Sequence, residues 1–120
     1  MDQARRAAAR ELREAGVAQH VFRSNPAYAD ALREVCSRLF VTVDHVYLLG
    51  SIPEQLEDCV SVFVWPSTVM TFEIARSNGQ VGQFEAIHVQ EYLRGRSGTD
   101  RRHCETVMKI AARDWGAQRP

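Results

Sequence analysis

Lysine is almost absent from this chain: Lys109 stands alone, and every other basic residue is arginine. Net charge is absent too, with 15 basic against 15 acidic residues. That balance argues against a uniform nucleic-acid coat, because phosphate affinity comes from clustered positive charge. No apolar run approaches the ~20 residues that span a bilayer, so no membrane partner is expected. Cysteine is scarce as well. Cys36, Cys59 and Cys104 are odd in number and lack metal-ligand spacing, which points to free thiols in a reducing cytoplasm. The Arg- and Ala-rich start carries Asp2, Glu11 and Glu14. Mitochondrial presequences avoid such acids, and a secretory apolar stretch is missing, so no targeting segment is expected. The arginine bias fits a small bacterial or phage protein from a GC-rich genome, or a need for planar guanidinium contacts.

What is present suits one domain over residues 1–120, since 45% hydrophobic content can fill a modest core. The expected class is α+β: a three- or four-stranded antiparallel sheet (a meander over 59–91) with N-terminal helices and a C-terminal helix packed on it. Three strands are read from Cys59 to Gln90. Val60, Val62 and Val64 alternate with Cys59, Ser61, Phe63 and Trp65; Met70, Phe72 and Ile74 alternate with Val69, Thr71, Glu73 and Ala75; Phe84, Ala86 and His88 alternate with Gln83, Glu85, Ile87 and Val89. Successive strand residues point to opposite faces, so loop length decides which sets meet. Three-residue loops around Pro66–Thr68 and Ser77–Gly79, with Gly79 left-handed, oppose Phe72 with both Val62 and Phe84. The inner face is then Val60, Val62, Val64, Met70, Phe72, Ile74, Phe84 and Ala86, and the helices are expected largely against it.

The outer face divides. Ser61, Thr71, Glu73, Gln83 and Glu85 form a polar half, whereas Phe63, Trp65, Val69, Ile87 and Val89 gather at the other end. Either a helix or the N-terminal segment covers that cluster, or it is a docking surface for another protein or a second copy.

Residues 2–15 read as an Ala-rich helix stopped by Gly16, with Val17–Arg23 as a connector. Asn25-Pro26 opens a second helix whose stripe is Tyr28, Leu32, Val35, Cys36 and Leu39. Val41–Leu49 favours a fourth strand over a helix. The run Cys36–Gly50 also resembles the last two helices of Cro-like helix-turn-helix repressors, over about fifteen residues. The preceding turn and helix that would enter the major groove have no counterpart in Val17–Pro26, so the strand reading is taken. One helical turn is expected over Pro53–Asp58, and a loop over Tyr92–Thr99. A last helix should run from Asp100 to Trp115, with Thr99 as its cap, Gly116 as its stop and Gln118–Pro120 frayed.

The basic loop Arg94, Arg96, Ser97 and Gly98, with Arg101 and Arg102 at the helix start, could hold an anion or an acidic surface. Charge is unevenly spread: residues 26–60 carry an acidic excess and residues 93–120 a basic one. Asp100 opposes an anion there, and pairing of the arginines with Glu91 or Glu105 is the plainer reading. The spacing departs from a nucleotide-binding P-loop. The four histidines form no metal motif, and His88 is expected as a hydrogen-bonded inner-face residue. Glu73 and Glu85, on neighbouring strands, offer a carboxylate pair for acid–base work, and Glu54, Glu57 and Asp58 a solvated acidic turn. No catalytic elbow, metal site or cofactor site is expected. The functional expectation is therefore a small cytoplasmic, non-catalytic protein that inhibits, neutralises or adapts a larger partner. A nucleic-acid accessory protein using the basic segment, and a small enzyme using the outer carboxylates, are the alternatives.

Overall fold

The computed structural model describes residues 2–116, with the backbone alone at Ala27; the frayed tail expected at Gln118–Pro120 lies outside them. The elements are α1 (Asp2–Ser24), α2 (Pro26–Leu39), β1 (Val46–Pro53), β2 (Glu57–Val64), β3 (Thr68–Ala75), β4 (Val81–His88), α3 (Val89–Arg94) and α4 (Gly98–Trp115). A 3₁₀ turn at Val43–His45 precedes β1. The four strands form an antiparallel meander in chain order. The fold is α+β, and Val46–Leu49 is strand, so the helical likeness of Cys36–Gly50 does not extend to its structure.

Helix α1 does not stop at Gly16. Phe22 and Gln19, both buried, fix the segment Val17–Arg23 to the body, and that tertiary anchoring outweighs the cost of an interior glycine. Residues 2–10 are exposed throughout, as an alanine stripe with little to bury permits. Helix α2 ends in a Schellman motif: Val41 N–H donates to the Cys36 carbonyl (3.1 Å) and Phe40 N–H to that of Ser37 (3.4 Å). Phe40 takes the left-handed position, φ 56°, where glycine is usual.

The β2–β3 loop is three residues long, 65–67, and opposes Val62 with Met70 and Val60 with Phe72. The pairing is two positions from that expected, a slip that leaves every side chain on its face. At β3–β4 the loop is four residues, 76–79, with Ala75 N–H donating to the Gln80 carbonyl (2.9 Å) and Gly79 at φ 70°. Four residues would reverse the faces of β4. A bulge at Gln83, φ 49°, restores them, so that Thr71 opposes Glu85 and Met70 opposes Ala86. Pro53–Asp58 forms no helical turn: β1 runs to Pro53 and β2 begins at Glu57.

Both sheet faces are covered, which corrects the one-sided packing expected. On one, Val60, Val62, Met70 and Phe72 meet Leu32, Val35 and Cys36 of α2, with Phe22. On the other, Tyr47, Phe63 and Val69 meet Ala15 of α1, Leu93 of α3 and Val107, Ile110 and Ala111 of α4. Burying a side chain of this size stabilises by about 1.5–3 kcal/mol, and covering both faces buries apolar residues from each.

Candidate binding surface

The outer-face cluster is a second core. Phe63, Val69 and Val89 are buried and Trp65 and Ile87 half-buried, beneath α1 and α4. Phe63 and Val69 therefore present no ring or branch to an incoming partner. Trp65 lies beside the last turn of α4, its ring 3.9 Å from where a Cβ on Gly116 would stand. Val89 belongs to α3, not to a strand. His88, expected on the inner face, is exposed and caps α3, its Nδ1 accepting from Gln90 N–H at 3.1 Å.

The basic segment is more ordered than a loop. Tyr92–Arg94 is helical, and α4 begins at Gly98 with Ser97, not Thr99, at the N-cap. Arg94, Arg96, Ser97, Gly98, Arg101 and Arg102 are all exposed. Two of the four guanidinium groups are engaged. Arg96 stacks over the Tyr92 ring at 4.4 Å, and Arg101 donates to the Leu93 carbonyl (3.4 Å) and pairs with Glu105 at 3.8 Å. Asp100 sits in the first turn of α4. Arg96 and Asp100 border a cleft of about 190 Å³ whose floor is Cys59 and Ser61 of β2. A carboxylate and a guanidinium share that rim, so its field has no single sign.

Glu73 and Glu85 are not opposed, because the bulge sets Glu73 against Gly82 and Glu85 against Thr71. Glu73 instead joins Glu54 and Glu57, with carboxylate oxygens within 4.8 Å of one another. Partial burial, then Glu57 and Glu54, raise the Glu73 carboxyl above its ordinary value. Such an oxygen set suits a hard cation, although exposed acidic clusters are common without one. Burial, then Glu54, Glu73 and Glu57, push the half-buried Cys59 thiol up. That is the reverse of what a nucleophile needs. Burial likewise raises Cys36, and lifts Cys104 to about 11.

The surface that sequence reasoning missed surrounds Phe40, which is 95% exposed. Its neighbours Leu39 and Val41, with Trp65, Pro66, Ala86 and Ile87, line a cleft of about 460 Å³ between the C-terminal end of α2, the β2–β3 hairpin and the end of β4. Phe40 stands beside this cleft without lining it. The signal was in the chain: the α2 stripe ends at Leu39, and the next residue lies about 100° away from that face. A comparison with known protein families, characterised proteins and solved structures found no match to this chain.

Proposed function

We propose that this is a small, cytosolic, non-catalytic interaction protein that docks another polypeptide at the face formed by Phe40 and its adjoining apolar cleft. The observation that carries the reading is Phe40 itself. A bulky residue in the left-handed region, where glycine would serve, costs on the order of 1–2 kcal/mol, and its ring is left 95% exposed. Aromatic anchors beside half-buried apolar walls are what interface centres use. The cleft offers such walls in Val41, Trp65 and Ile87. The raised Cys59 thiol and the separation of Glu73 from Glu85 favour binding over catalysis. An inhibitor or adaptor would need no more than this.

The test is a photo-reactive benzoyl-phenylalanine placed at position 40 in the producing cell. The expected result is a covalent adduct heavier than the free chain that is lost when the same probe sits at exposed Gln90. An absence of adducts at position 40 would overturn the reading.

A further inference from the structure

We infer that the occupant of the apolar cleft is Phe40 of a second copy of this chain, inserted reciprocally across a two-fold axis. The inference rests on the docking role given to this face above. A two-fold contact must be self-complementary: the same patch has to carry both the projection and the recess that receives it. Here the two are adjacent. Leu39 and Val41 line the cleft, and Phe40, between them in sequence, points out at its rim. A two-fold axis near that rim places each ring in the other copy's recess, with the backbone of both copies already in position.

Charge does not oppose the pairing. Among the described residues no Asp, Glu, Lys or Arg lines the cleft, whose one ionisable group there is the exposed His88. Bringing two identical walls together therefore sets no like charges face to face. The size suits the ring, since a recess of about 460 Å³ holds one aromatic side chain with room for the rim to close on it. Area fixes the strength. Two phenylalanines bury roughly 150–250 Å² each, and the walls that cover them lose a similar amount, giving roughly 600–1,000 Å² in all. That falls below the ~1,200 Å² of standard stable interfaces, so the dimer is a weak, reversible one. The left-handed Phe40 backbone aims the ring outward in the free chain, so little ordering is left for association.

Sedimentation velocity on the purified full chain tests this between about 1 and 500 µM. The wild type should sediment faster as concentration rises, with a midpoint of tens of micromolar or above. Phe40→Gly should remain a monomer throughout while melting at the same or a higher temperature, which separates lost association from lost folding. Ala86→Arg, at an exposed cleft position, should also be monomeric. A wild type that stays monomeric at 500 µM overturns the inference, as does a Phe40→Gly or Ala86→Arg chain that associates as the wild type does. The two readings are distinguishable: an adduct at position 40 with a mass other than twice the chain keeps the docking role and removes the dimer, whereas no adduct there removes the docking role.

Discussion

The side-chain amide of Gln19 pairs with both backbone polar groups of Leu48. Its Nε2 donates to the Leu48 carbonyl at 2.9 Å, and its Oε1 accepts from the Leu48 N–H. Gln19, 3% exposed, thus stands where a neighbouring strand would put a peptide unit. Four residues on, Arg23 donates through Nη2 to the Val46 carbonyl at 3.0 Å while its guanidinium lies over the Tyr47 ring at 4.4 Å. Helix α1 therefore covers the first part of the free edge of β1, Val46 to Leu48, an edge that would otherwise template pairing with another chain.

Replacing Gln19 with leucine should cost about 2 kcal/mol, because both Leu48 groups lose their partner while the new side chain supplies none. Chemical denaturation measures the loss. Light scattering during refolding should also rise, since the β1 edge is then bare. Unchanged stability would mean that water replaces the amide at no cost.

Gly16 sits inside α1 with open space where a Cβ would be. Gly16→Ala should therefore stabilise by about 0.5–1 kcal/mol and raise Tm by roughly 2–5 °C. A fall in Tm would show that the helix bends at this position in solution.

Phe63 and Trp65 test the second core. Phe63→Asp buries a carboxylate among Tyr47, Val69 and Val107, and should prevent folding. Trp65→Ala should cost about 2–3 kcal/mol, less than a fully buried ring because Trp65 is only half-covered. Urea midpoints of the wild type and the tryptophan variant decide the second. A Trp65→Ala chain as stable as the parent would return that ring to the surface.

Burial and Glu54 raise the Cys59 thiol most, Glu73 adds to them, and Glu73 contributes a pH dependence of its own. Because Glu73 raises the Cys59 thiol, Glu73→Gln should speed alkylation of Cys59 by iodoacetamide at pH 7.5. Buried Cys36 and Cys104 should react only on unfolding. The Glu73 carboxyl is itself raised in the folded chain. Its contribution is most favourable below the ordinary carboxylate range and declines as pH rises through the folded value. The Glu73→Gln variant should accordingly melt higher than the wild type at pH 7 and alike near pH 3. Equal melting at both pH values would remove the carboxylate cluster as a source of strain.

Much of this architecture was legible beforehand. Period-two alternation from Cys59 to His88 placed Val60, Val62 and Phe72 on one face and Phe63 and Val69 on the other. The spacing of Leu32, Val35 and Cys36, and of Cys104, Val107 and Ala111, marked two helices. Asn25-Pro26 marked where the second helix begins. These signals are local: side-chain direction follows from the backbone geometry of a strand or helix, so a few residues suffice to reveal it. The candidate site was less legible. Phe63 and Trp65 could be read as covered by a helix or as a docking anchor, because alternation tells which face a ring occupies and not what lies over that face.

Tertiary structure alone decided the rest. Gly16 is a stop signal in sequence, yet α1 runs through it because Gln19 and Phe22 find partners on strands distant in the chain. The Asn78-Gly79 turn suggested two or three residues; it closes with four, and the bulge at Gln83 restores the faces that an even count reverses. Phe40 comes just after the α2 stripe, and a left-handed turn leaves it in solvent. For α1 the deciding contacts join segments far apart in sequence, as Gln19 to Leu48 does. Burial is a property of the assembled elements, and only their assembly could assign it.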